Sequence, residues 1–487
     1  MILLSRYEIK NGAQVDSPGV IFLLKETNII DNQSPTMTSF IENLPSNNWF
    51  SKKIVFLATL TSFPSGSVIF INALIAPDLQ CEWNLTTFEV TLISIAFYVG
   101  EALGSWYWGR MADVYGRKNT LIVSTGSMVY FVLLSAASRS FHLHLLMRFF
   151  VGAGFAGSFI STVTYNTEFT KSTDHGKAVL WYNLFYTFGS LFSIGFSYWT
   201  LNHYGWRIYT LATISPGIIF LYFMTTYLPE STRFLKTQGR TTEAFEVIKD
   251  ACKITKTTLT KDISTMNAAN SGKTQNQGYI QVLSKHWIKI FGLSFYGVPM
   301  FLNYYGLPFF IDYKLQHASS CKLIANETMS PKCSPLTDVE ILRSFMINLG
   351  YLPGAFVGYF MAEKIGRKVL LNISTGLLAV CYISQLICLP NIVTYFLMFL
   401  SSGMLLSASC FIVLYAAELF PTNVRMTSTG IAASIWKICS IISPVMFQHL
   451  IYTNTTFVIV FMGAWSIVGA FGLCPLPETL GNGLKEF

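Results

Sequence analysis

Charge is what this chain has least of. Only 12% of its 487 residues are Asp, Glu, Lys or Arg, while 52% are hydrophobic; an ordinary soluble domain carries about 25% charge. A soluble fold is therefore excluded, and lipid is the expected solvent. Metal and redox chemistry have little to work with. The nine cysteines form no C-x-x-C pair, which removes zinc-ribbon and thioredoxin-type readings. His142 and His144 lack the spacing of a metal pair, and Ser, His and Asp fall in no nucleophile motif, so no enzyme, metal or cofactor is expected. The first residues alternate apolar with Lys, Glu and Asp and reach no small-residue cleavage site, so no secretory leader is expected and the first membrane helix serves as its own insertion signal. The formal net charge of +8 does not point to nucleic acid, because the basic residues sit in short loops rather than on one soluble face.

What is present is a set of apolar runs of about the length that spans a bilayer. Residues 1–50 are polar and aperiodic, an expected cytosolic tail. Six runs follow within a first bundle, 51–228, at 53–76, 88–108, 119–138, 143–165, 178–201 and 207–228. A basic linker, 229–286, holds a short amphipathic helix with Ala244, Val247, Ile248 and Ala251 on one face. Six more runs lie in a second bundle, 287–476, at 287–311, 341–361, 368–389, 391–417, 428–450 and 455–475, before a short tail, 477–487. The fold class expected is all-α, twelve transmembrane helices in two six-helix bundles. Aromatics at 15% suit side chains at headgroup level.

The two bundles are copies of one another. GRMADVYGRK at 109–118 returns as YFMAEKIGRK at 359–368, with Glu363 in the place of Asp113 and Gly366-Arg367-Lys368 repeating Gly116-Arg117-Lys118. The same spacing carries Tyr165 and Glu168 onto Tyr415 and Glu418, and Pro229-Glu230-Ser231 nearly onto Pro477-Glu478-Thr479. Such a repeat means tandem membrane halves. The Lys and Arg of both repeat loops, of the linker and of the Asn423–Arg425 loop fall on one side, which is expected to be cytosolic with both termini. Three sequons at Asn84, Asn326 and Asn454 fall on the other side, where glycans are added. Cys81, Cys321 and Cys333 share that side, and the spacing of Cys321 and Cys333 within one loop predicts a disulfide between them.

Charged residues inside the runs are the candidate functional residues, because each is expensive in lipid. Glu101 lies on a helical stripe with Ser94, Tyr98 and Ser105; Lys437 lies on one with Gly430, Ser434 and Pro444. The two are expected to pair at the centre of a solute pathway, with Lys437 taking an anionic solute when Glu101 releases it or is protonated. Asp113, Gly116, Arg117, Lys118, Arg148, Glu168, Glu363, Arg367, Glu418 and Arg425 are assigned to a cytosolic gate. The glycines after Arg148, at 152, 154 and 157, are expected to pack helices closely, as are Gly350, Gly354 and Gly358.

Twelve runs, the repeated GRMADVYGRK loop, Arg148 with its glycines, LPESTRFL and the terminal LPETLGNGL together resemble the major facilitator superfamily. PDLQCEWNLTTFEV, TEFT and YYGLP look most like its branch of synaptic vesicle 2-related proteins and organic cation and anion transporters. The resemblance covers residues from about 50 onward. It implies two bundles rocking about a central site lined by the first, fourth, seventh and tenth runs, and places Asn72, Thr162, Asn166, Asn303, Tyr304 and Tyr415 in the pathway. It implies a transporter of a small organic solute, with a coupling proton in some relatives, in a vesicle or plasma membrane. A transporter-like receptor or vesicle scaffold and a sugar porter stand as alternatives. Two departures matter. Relatives often carry acidic residues in the first run where this chain has Ser65 and Val68, and Met398 stands where Arg148 would repeat.

Overall fold

The computed structural model describes residues 48–171, 174–255, 279–316, 336–387, 389–420 and 425–480. These residues are helical almost throughout. Span 1, Trp49–Trp83, breaks at Leu60–Thr61. Span 2 is Thr87–Tyr115, span 3 Arg117–Ala136 and span 4 Phe141–Phe169. Spans 5 and 6 are the two limbs of His175–Tyr227, which reverses at Gly205, where φ is 80°. Two linker helices follow, Thr232–Thr237 and Thr241–Thr255. Span 7 is Tyr279–Gln316, span 8 Asp338–Lys364, span 9 Arg367–Ser384 and span 10 Asn391–Leu419. Span 11 runs Thr427–Leu450 and ends in a π-helical stretch, Val445–Leu450; span 12 begins at Thr455.

All twelve expected runs are helices, but several outlast their apolar stretches. Span 1 was expected to stop at 76; it continues through Pro77, Gln80 and Glu82 to Trp83, because a helix need not end where the bilayer does. Spans 5 and 6 were expected as separate helices; a single glycine at positive φ is all that parts them. Starts follow local chemistry. Thr86 and Glu89 form a capping box at span 2, and Thr337 and Glu340 repeat it at span 8.

Each half closes through small residues. A Cβ at Gly100 of span 2 would stand 2.8 Å from the carbonyl carbon of Phe149 in span 4, and a Cβ at Gly354 of span 8 would strike Gly403 of span 10. Backbones approach this closely only without side chains between them. Between the halves, span 2 packs along span 11 and span 5 along span 8. The linker helix Thr241–Thr255 buries Ala244, Ile248 and Ala251 as its periodicity predicts, with Val247 half-buried. It covers an apolar cluster of Phe50, Ile54, Tyr165, Phe169 and Met224, so the linker is docked on the first half.

Replacing Gly100 with Val should force spans 2 and 4 apart and cost about 1–3 kcal/mol, as overpacking does. Gly376, where a Cβ meets nothing within 4 Å, is the control: Gly376→Ala should be neutral or gain about 0.5–1 kcal/mol. Thermal melting in detergent, following aggregation or intrinsic fluorescence, reads both.

Candidate solute site and gates

The centre of the molecule holds one ion pair. Glu101 of span 2 and Lys437 of span 11 are both buried and in direct contact, as their stripes predicted. Gly430 makes the approach possible, since a Cβ there would stand 3.1 Å from the Ser105 carbonyl oxygen. Tyr305 of span 7 completes a ring of three. Its hydroxyl donates to Glu101 Oε1 at 2.6 Å and accepts from Lys437 Nζ. The ammonium also faces the rings of Phe301 at 4.4 Å and Tyr305 at 4.6 Å, contacts that attract a cation electrostatically. Glu101 Oε2 is buried without a partner.

Beside the pair is a narrow cavity of about 10 Å³ lined by Phe155, Phe159, Tyr182, Tyr186, Phe301, Tyr304, Tyr305, Leu406, Ser409, Cys410 and Lys437. Lys437 lines it and Glu101 does not. The pair therefore shows the cavity its positive member.

The repeat loops make two matching clusters on the basic face. Arg117 reaches Glu168 Oε1 through Nε at 3.1 Å and Asp113 Oδ1 through Nη2 at 3.3 Å. In the second half Arg367 Nη2 lies 3.2 Å from Glu363 Oε1, and its Nε 3.6 Å from Glu418 Oε2. Gly116 and Gly366 adopt φ of 105° and 112°, values that favour glycine, and so turn each chain straight into the next span. The N–H groups exposed there are capped by distant carboxylates. Glu230 accepts from Arg117 N and Lys118 N at 3.0 and 3.1 Å; Glu478 accepts from Arg367 N and Lys368 N at 3.0 Å each. Carboxylates suit helix N-termini because the free N–H groups and the helix dipole both favour negative charge. Burial pushes the Glu230 carboxyl up from its ordinary range against the pull of these N–H groups and that of Ser231. Tyr165 and Tyr415 donate to the carbonyls of Pro229 and Pro477 at 2.5 and 2.6 Å, holding the same straps in place.

Across the halves the two clusters differ. Asp113 Oδ2 accepts from Thr427 N at 3.2 Å and Thr427 Oγ1 at 2.9 Å, at the start of span 11. Glu418 Oε1 lies 3.4 Å from His175 Nδ1 at the start of span 5, and Glu363 closes on Gly176 next to it.

Several expected residues lie elsewhere. Arg148 is not part of the basic-face cluster: it sits at the opposite end of span 4 from Glu168, about 30 Å away at 1.5 Å per residue, donating through Nε to His144 Nε2 at 3.2 Å. Of the proposed pathway residues, Tyr304 lines the cavity and donates to the Tyr186 hydroxyl at 2.5 Å. Asn303 turns toward span 12, bonding Ser466 Oγ at 2.8 Å; Thr162 meets Thr61 at 2.6 Å where span 1 breaks; Asn72 bonds Ser94 at 3.3 Å. Tyr415 serves the strap, and Asn166 is buried with its amide unpartnered. The contribution of Lys118 to its cluster is its backbone N–H, and Arg425 begins its helix with a side chain outside the described residues. Asn84 and Asn454 are exposed on one face. Asn326, Cys321 and Cys333 lie outside the described residues, while Cys81 is disulfide-bonded. Sequence reasoning missed Tyr305, Tyr182, Tyr186 and His175. It had seen Glu230 and Glu478 as repeated marks without assigning their caps.

Two six-helix halves with a charged site at their seam define a membrane transporter of the major facilitator fold. The family model described as Sugar (and other) transporter matches residues 56–487, and the chain belongs to that family. It is 24% identical over 450 residues to the putative transporter svop-1 of Caenorhabditis elegans, covering 90% of this chain and 84% of that one. It is 24% identical over 456 residues to the synaptic vesicle 2-related protein of Rattus norvegicus, covering 90% and 80%. With the organic cation/carnitine transporter 7 of Arabidopsis thaliana it shares 24% over 469 residues, covering 86% and 89%. Among solved structures, the proton:xylose symporter XylE bound to 6-bromo-6-deoxy-D-glucose superposes with a TM-score of 0.68 at 17% identity, covering 89% of this chain and 98% of that one.

Asp113→Asn should weaken the hold of span 2 on the start of span 11 and populate states open at the basic face. A contact of about 1–3 kcal/mol changes the ratio of states about 5- to 150-fold. Thiol labelling of Cys410 from that face, quantified by mass spectrometry, should speed up accordingly; an unchanged rate would show that the contact does not hold the mouth.

Proposed function

We propose that the protein carries a small organic anion across a vesicle or plasma membrane by alternating access, with the basic face and both termini in the cytosol. The observation that carries this reading is that the charged side chain lining the central cavity, among the described residues, is Lys437. An anion entering from either side meets that ammonium and competes with Glu101 for it. The charge released on Glu101 then needs a counter-ion in a dry site, and a proton taken up at its unpartnered Oε2 supplies one. Because spans 2 and 11 belong to opposite halves, exchanging Glu101 for solute loosens the seam and couples binding to rocking. Asp113, His175, Glu363 and Glu418 act as the gate of the basic face, held by Arg117 and Arg367.

Reconstitution into liposomes with a panel of labelled organic anions and cations, with and without a proton gradient, tests the reading. Gradient-stimulated anion uptake is expected; a protein that moves nothing, or moves cations alone, overturns it. Lys437→Ala should abolish anion binding and leave Glu101 as a buried lone charge, at a cost of about 3–5 kcal/mol. Glu101→Gln with Lys437→Gln should recover the stability measured by thermal melting without recovering uptake. Normal uptake by Lys437→Ala would refute the role of the pair.

A further inference from the structure

The central cavity has polar groups from both halves, and one of them is uncommitted. Tyr182 of span 5 lines the cavity with a buried hydroxyl that has no partner. Its neighbours are engaged: Tyr304 donates to Tyr186, and Tyr305 to Glu101. Tyr182 belongs to the first half and Lys437 to the second, and the ring of Phe159 neighbours both, 5.6 Å from the Tyr182 ring centre and 5.5 Å from Lys437 Nζ. The remaining wall is largely aromatic, with Phe155, Phe301, Tyr186 and Tyr304.

We propose, building on the anion reading above, that the solute is a single-ring aromatic monoanion with a second hydrogen-bonding group. Its anionic group lies on Lys437 Nζ, its ring lies among the phenylalanine and tyrosine faces, and its second polar group meets the Tyr182 hydroxyl. Tight walls set the single ring: the space as it stands has room for about one water molecule, so a ligand enters only as the walls give way, and one ring displaces them less than several. Aromatic walls set the planarity, since rings pack in offset or edge-on contact with rings. The hydroxyl without a partner sets the second group, because a buried polar atom is normally satisfied and a site that leaves one waiting rejects ligands unable to pair with it. The same accounting argues against a sugar, most of whose hydroxyls would be buried here against carbon. Contact with both halves makes the solute itself a bridge across the seam, so a solute that reached only one half would bind without drawing the halves together.

The test is isothermal titration of the full-length protein in nanodiscs with 4-hydroxybenzoate, benzoate, acetate, benzyl alcohol and glucose. 4-Hydroxybenzoate should bind about 3- to 10-fold more tightly than benzoate, the worth of one neutral hydrogen bond. Tyr182→Phe, which keeps the ring and so the fold, should erase that difference. Thermal melting confirms that the variant is folded. A preference for 4-hydroxybenzoate that is absent in the wild type, or that survives Tyr182→Phe, overturns the inference. Acetate binding as tightly as benzoate overturns it too, with the anion reading intact. Benzyl alcohol or glucose binding as tightly as benzoate overturns both.

Discussion

Removing an ammonium and a carboxylate from water costs several kcal/mol for each ion, and this molecule does so at its seam. Glu101 and Lys437 come from opposite halves, so neither half alone can neutralise its own buried charge. That constraint organises what surrounds them. Gly430 lets span 11 approach Ser105, Tyr305 brings span 7 into the pair, and Asp113 meets Thr427 farther along the same two helices. Spans 2 and 11 are thus joined at the centre and at one end, and what disturbs the central pair bears on the end contact.

The architecture could be read from the sequence because lipid enforces it: apolar length gives the spans, and the repeat gives the two halves. The pairing of Glu101 with Lys437 was legible for the same reason, since a charge in a membrane helix must find a partner. The aromatic residues were not. Tyr182, Tyr186 and Tyr305 line or frame the cavity, while Tyr222 and Trp199 are exposed on the outside, and the composition of a run treats all five alike. Asn303 and Tyr415 were expected in the pathway from the family resemblance. Their true partners, Ser466 and the Pro477 carbonyl, come from span 12 and the segment after it, contacts that no local pattern encodes. The gate grouping of Arg148 failed on something the sequence did contain, because a residue near the start of span 4 lies at the opposite end of that helix from Glu168.

The two halves share a plan but not a chemistry. One inter-half contact on the basic face is a carboxylate on a helix start, Asp113 with Thr427; another is a carboxylate on an imidazole, Glu418 with His175, for which the first half's Glu168 pairs instead with Arg117. Met398 in place of Arg148 removes a buried guanidinium from the second half. Duplication supplied the frame, and the two halves have since come to hold it with different side chains.

The capping carboxylates have a mechanical consequence. Glu230 and Glu478 each tie the segment after the sixth helix of a bundle to the start of its third, and Tyr165 and Tyr415 rivet the same straps from the fourth. Each bundle is thereby stitched into a closed body, while the seam between them is packed along spans 2 and 11 and spans 5 and 8 and carries, among the described residues, the pairs Glu101 with Lys437 and Glu418 with His175. A bundle closed in this way resists deformation, so a relative movement of the two bodies would leave each one's internal contacts in place.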